Sequence, residues 1–199
     1  PGDGYGHGTH TMGTMVGDDE EGHRIGVAPG ARWIAVKIFN NLGYTLESWV
    51  HDAFQWIIAP EDDPALAPDI VNNSWGSEIG SDERFRPDVQ ALRAAGILPI
   101  FSAGNEGPRA ATIGSPASFP EAFAVGAVDA EKLIARISGR GPSPWDEIKP
   151  EVVAPGVNIV SSFPGGGYRS ADGTSMAAPH VAGVAALLLQ ADPALTPDQ

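Results

Sequence analysis

The stretch that most constrains this chain is Gly173 to Gly183, together with the uncharged run it opens. Sixteen residues, Ser175 to Gln190, contain no Asp, Glu, Lys or Arg. They follow the polar turn Asp172-Gly173, and a run of that length and character predicts a helix buried on most sides. Ser175 stands in its first turn. Capping is the commonest use of a serine there. A cap asks for nothing downstream, yet Ala177, Ala178, Ala182 and Gly183 follow, and such small residues let other backbones come close. A nucleophilic serine at a helix N-terminus would also sit in a field that favours developing negative charge. Taken alone, the stretch leaves both readings open.

Two further blocks bear on the choice. His7-Gly8-Thr9-His10-Thr11-Met12-Gly13-Thr14 places a polar group where a second small-residue helix begins. A serine hydroxyl needs a base to take its proton, and His7 has the residue type for that, since imidazole titrates near neutrality. His7 and His10, at i and i+3, could instead ligate a metal, but no Asp, Glu or Cys at metal-site spacing completes the set. His180 reads as a packed core histidine, and His23 and His51 as exposed. The third block, Ser102-Ala103-Gly104-Asn105-Glu106-Gly107, puts Asn105 after a strand, either as a turn residue or as an amide donor.

In this order, the three blocks resemble the subtilisin-like serine proteases. The resemblance covers essentially the whole chain. It implies that Ser175 is the nucleophile, His7 the general base and then acid, and Asn105 the oxyanion donor beside the Ser175 backbone N–H. It makes His10 structural. It lays substrate as an added strand along Ser74-Trp75-Gly76, with Ser102-Ala103-Gly104 as the opposite wall of the primary pocket and Gly114 as its floor. Glu106 would add tolerance for a basic side chain. Trp75 is read as a pocket wall, with a core aromatic as the alternative. The Ser115-Pro116 peptide is expected to be cis. No cofactor is required. Calcium is a weaker expectation, in the acidic loop after the first helix with Asp18 and Glu20 as candidates. The plainer reading of that loop is a solvated turn.

The pattern along the chain supports an α/β class. Helices are expected at His7 to Val16, through Ile58 with Thr45 as the cap, and at Pro87 to Ala95. Strands are expected at Trp33 to Phe39, Asp69 to Asn73, Ile97 to Ser102, Ala122 to Val128 and Val157 to Ser162. Their alternation predicts a mostly parallel sheet. With the resemblance this becomes a three-layer subtilisin-like fold, a single domain over residues 1–199. The net charge of −13 argues against nucleic acid as a partner. The longest apolar run near the C-terminus, Val181 to Leu189, is too short to span a bilayer. No cysteine is present, so there is neither disulfide nor thiol chemistry.

One departure stands out. The family's orienting aspartate lies on a strand well upstream of its histidine. Here Asp3 is too near His7 to hold the ring from behind, and Asp18 and Asp19 lie beyond the helix. Pro197-Asp198-Gln199 reads as the beginning of another helix. The simplest expectation is a subtilisin-like domain truncated at both ends, part of a larger secreted endopeptidase acting on proteins or peptides and inactive alone. A second copy or a complementing N-terminal segment would fill the open sheet. The alternative is a catalytically incompetent scaffold that binds peptides or partner chains.

Overall fold

A computed structural model describes every residue except Pro1, Glu20, Glu21 and His23. Helix α1, His7–Val16, is followed by α2, Glu47–Ile58, and by two short 3-10 turns. Strand β1, Ile70–Asn73, leads through α3, Arg86–Ala94, to β2, Leu98–Ser102. Strands β3, Phe123–Val128, and β4, Val152–Pro155, complete a four-stranded parallel sheet in the order β1-β2-β3-β4. A separate antiparallel hairpin, β5 Ile159–Phe163 with β6 Gly167–Ala171, precedes α4, Thr174–Ala191.

Strand alternation divides the core into two layers. Phe101 of β2 and Ala124 of β3 point to one side, among Val50 and Phe54 of α2 and Val89 and Leu92 of α3. Their neighbours Ile100 and Val125 point to the other side, against Ala177, Ala178 and Ala182 of α4. The small side chains of α4 bring that helix against the sheet. This is the expected three-layer α/β arrangement.

Several expectations need correction. Residues 33–39 join no ladder among the described residues, and Trp33 is 61% exposed. The β-rich pattern is present, but a strand needs a neighbour to bond. Val157 to Ser162 contributes to the hairpin instead of the parallel sheet. Thr45 does not cap α2. Its hydroxyl donates to the Ile38 carbonyl, and Leu46 is the N-cap. His51 is half-buried, with Nδ1 2.9 Å from the Asp88 carboxylate. Helix α4 is buried only over its first half, since Val184, Leu187 and Leu188 are exposed. By length and composition alone it could cross a membrane, with mean hydropathy 1.2, but its N-terminal half is packed into the core.

Candidate active site

His7 is the first residue of α1, and the N-terminal turns of that helix are held from outside. Its N-cap, Gly6, has no side chain to cap with. Asp3 takes that role: Oδ2 accepts from the backbone N–H and the hydroxyl of Thr9, both at 2.8 Å, and Oδ1 accepts from the Gly6 N–H at 2.8 Å. Asp3 is therefore a helix cap, and among the described residues no carboxylate is hydrogen-bonded to the His7 ring. Burial lowers the His7 pKa below its usual value, the neighbouring His10 adds to that, and Asp3 partly opposes it. His7 is thus neutral near pH 7, the form that accepts a proton.

His10 does structural work, as expected. Its Nε2 lies 3.1 Å from the Ile159 carbonyl and 3.0 Å from the Arg169 carbonyl, so that nitrogen carries the proton and ties α1 to both strands of the hairpin. The Ser161 hydroxyl returns a bond to the His10 carbonyl. A nitrogen donating to two carbonyls is not a metal ligand. His180 is likewise internal, with Nδ1 2.8 Å from the Met176 carbonyl. Burial lowers its pKa, and the Met176 bond partly opposes this.

The start of α4 meets the loop after β2. Asn105 Oδ1 accepts from the Thr174 backbone N–H at 3.0 Å and from the Thr174 hydroxyl at 3.1 Å. A backbone N–H can only donate, so the atom facing it must be the amide oxygen, which leaves Nδ2 as the outward donor. That donor and the Ser175 N–H both border Gly173. A Cβ built on Gly173 would stand 3.6 Å from Ser175 N and 3.7 Å from Asn105 Nδ2. Gly173 has φ 148°, outside the range that L side chains readily adopt. Two N–H donors beside a side-chain-free backbone are the kind of groups that can stabilise a developing oxyanion.

Ser175 itself donates its hydroxyl to the Ser74 carbonyl at 3.2 Å. Ser74 and Gly76 continue from the end of β1, and Ser77 bridges Ser115 in antiparallel fashion. The Gly114 N–H donates to the Ala103 carbonyl at 3.0 Å, which joins the segments expected as pocket wall and floor. A Cβ on Gly114 would come within 2.4 Å of the Ser77 carbonyl, so the close approach requires glycine. The Ser115-Pro116 peptide is cis. The Trp75 ring is half-buried and packs against the core, edge-on to Phe85 and Phe101 at 5.5 and 5.8 Å, with its N–H donated to Asn73. Glu106 is exposed beside Asn105.

The calcium expectation finds no support in the donor set. Asp18 is paired with Arg24 at 3.3 Å, and no group of three acidic, His or Cys side chains among the described residues could hold a metal. Glu20 lies outside the described residues.

Two residues that matter here carried no separate signal in the sequence reading. Thr174 orients Asn105, and its only hint was adjacency to Ser175. Asn72, whose Nδ2 donates to the Ser74 hydroxyl at 3.0 Å, read simply as part of a strand.

A serine and a histidine each opening a helix of an α/β fold, with an oriented asparagine amide beside the serine, is the arrangement of a serine hydrolase. The subtilase (peptidase S8) family profile matches residues 1–199, and the chain belongs to that family of serine proteases. It is 53% identical over 212 residues to bacillopeptidase F of Bacillus subtilis (strain 168), a match that takes in all of this chain and 15% of that protein. Subtilisin E of the same strain is 39% identical over 196 residues, covering 98% of this chain and 48% of that protein. Among solved structures, sphericase superposes with a TM-score of 0.88 at 31% identity, covering 99% of this chain and 67% of that one. A cold-adapted subtilisin-like serine proteinase gives 0.83 at 32% identity, over 99% of this chain and 66% of that one. The chain thus spans less than half the length of these two curated relatives.

Proposed function

We propose that this chain carries the nucleophile, the base and the oxyanion donor of a serine endopeptidase. Ser175 attacks the peptide carbonyl. His7 takes its proton and later returns it to the leaving amine. Asn105 Nδ2 and the Ser175 N–H stabilise the tetrahedral oxyanion. Ser74, Gly76, Ser102, Ala103, Gly104 and Gly114 bind the substrate strand and its primary side chain, with Glu106 at the rim. The observation that carries the reading is the Thr174–Asn105 pairing, which leaves the Asn105 amide nitrogen as the free donor where it borders Gly173. Substrates are proteins or peptides, and an exported location fits a protease of this family. The test is a fluorophosphonate probe on the full-length protein. Label on Ser175, abolished by Ser175→Ala, supports the reading, and an unlabelled Ser175 overturns it.

Residues 1–199 alone are proposed to turn over little. The His7 ring has no carboxylate partner among the described residues, and the Ser175 hydroxyl is bonded to a carbonyl, not to a histidine. An extended segment docking along the free edge of β1 would complete the sheet and supply that partner. In support, residues 33–39 join no ladder among the described residues, and the buried Asn72 Oδ1 has no hydrogen-bond partner. The same observations favour a second reading, a peptide-binding scaffold without turnover. The fluorophosphonate result separates the two.

A further inference from the structure

Helix α4 contains a proline at position 179, four residues after Ser175. In an α-helix the N–H of residue i+4 bonds the carbonyl of residue i, and proline has no N–H to give. The carbonyl of the nucleophile residue is therefore the one that loses its helical donor. A buried carbonyl left so is costly, and it sits on the residue whose N–H and hydroxyl must be held in place.

The donor comes from another element. Ser74, 8% exposed at the end of β1, points its hydroxyl at the Ser175 carbonyl at 2.8 Å. The direction of that hydroxyl is set from behind. Asn72 Nδ2 donates to Ser74 Oγ at 3.0 Å, so the Ser74 proton is turned forward onto Ser175. The Ser175 hydroxyl in turn donates to the Ser74 carbonyl. The two serines thus bond each other reciprocally, each donating its hydroxyl to the other's backbone carbonyl.

We infer that Ser74 is a positioning residue for the nucleophile, supplying through its hydroxyl the hydrogen bond that Pro179 withholds from Ser175, with Asn72 fixing its direction. This rests on the reading of Ser175 as the nucleophile, and adds to the strand-binding role of the Ser74 backbone. The bond acts on the orientation of the first turn of α4, so it affects the chemical step more than substrate binding.

The test is a mutant cycle in the full-length protein, read with a chromogenic peptide. Ser74→Ala should lower kcat about tenfold, the worth of one hydrogen bond, and leave KM within about twofold. Asn72→Ala should lower kcat in the same sense, and the double variant should be no worse than Ser74→Ala. Ser74→Thr keeps the hydroxyl and should restore most of the rate. The decisive background is Pro179→Ala, which returns an N–H to position 179. There the Ser74→Ala penalty should shrink to about twofold or less. An undiminished penalty in that background, or a loss confined to KM, overturns the proposal.

A second readout needs no turnover. Ser175-Met176 is the only Ser-Met step in residues 1–199. Carbonyl-labelled serine with nitrogen-labelled methionine gives an NMR correlation for the Ser175 carbonyl, identified by its loss in Met176→Leu. It should move upfield in Ser74→Ala and return in Ser74→Ala/Pro179→Ala. A correlation that does not move overturns the proposal. An inactive full-length protein with the expected shifts would count against the protease reading and leave the bridge standing.

Discussion

Thr174 holds the Asn105 side-chain oxygen with two donors, its backbone N–H and its hydroxyl, and so leaves the amide nitrogen as the free end of that side chain. Asn105→Ala should therefore lower kcat of the full-length protein by about 10² to 10³, the size of loss seen for an oxyanion asparagine in subtilisin, with KM little changed. Thr174→Val removes only the hydroxyl and keeps the N–H. Its loss should be smaller, on the order of tenfold. Steady-state kinetics on both variants checks this, and equal losses would show that Thr174 does not act through Asn105.

The lowered pKa values of His7 and His180 give a pH dependence of stability with a definite sign. Each histidine takes a proton more readily unfolded than folded. As pH falls through about 6.5, the unfolded chain binds protons first and the fold loses stability. The loss stops growing once the pH is below the folded values. Asp3 acts in a lower window. Burial would raise its pKa, but bonds from Gly6, Thr9 and Tyr5 outweigh that and lower it. Its contribution is lost as pH falls through and below the ordinary carboxylate range. Urea melts across this range should show stability declining from neutral pH downward, less steeply in His180→Asn.

The Asp3 cap can be tested separately from chemistry. Asp3→Ala leaves the Thr9 and Gly6 N–H groups without their acceptor and should cost about 1 kcal/mol, within the range for helix caps. Removing that carboxylate should also lower the His7 pKa a little further, because Asp3 partly offsets the effect of burial. Thermal melts and histidine NMR titration report the two effects independently.

Much of the site was legible because its residues lie in short blocks whose local rules hold. His7 to Val16 is helical as read, and Asn105 and Ser175 sit at the turn and helix start that their neighbours imply. What stayed hidden depends on contacts across the chain. The β-rich composition of residues 33–39 shows readiness to pair, but no neighbouring strand pairs with them among the described residues. β4 follows Lys149-Pro150, and its four residues, with a proline at the end, are too short to signal a strand by pattern. The aromatic Trp75 fits a pocket wall or a core equally well on composition, and Phe54, Phe85 and Phe101 decide it. Ser74 and Asn72 matter through a carbonyl 101 residues away from Ser74, visible only once Pro179 is placed in the helix.

The final prediction concerns the free edge of β1. Among the described residues no strand pairs with β1 on that side, residues 33–39 join no ladder, and Val36 and Ile34 are exposed. Unpaired edges of this kind recruit another extended chain. An apolar peptide ending in Asp-Ser-Gly or Asp-Thr-Gly should bind residues 1–199 and slow hydrogen exchange at 33–38 and 70–73. It should also bring turnover of a chromogenic peptide, because its aspartate supplies the partner that the His7 ring lacks. The same peptide with Asn in place of Asp should protect the same amides. It should leave turnover about 10⁴-fold lower, the loss expected when a triad aspartate becomes asparagine and the imidazole is held in the wrong tautomer. Without peptide, sedimentation should show whether the edge is met by a second copy. Turnover by residues 1–199 alone within about tenfold of the full-length protein, or protection elsewhere in the chain, would show that the β1 edge is not where the missing partner binds.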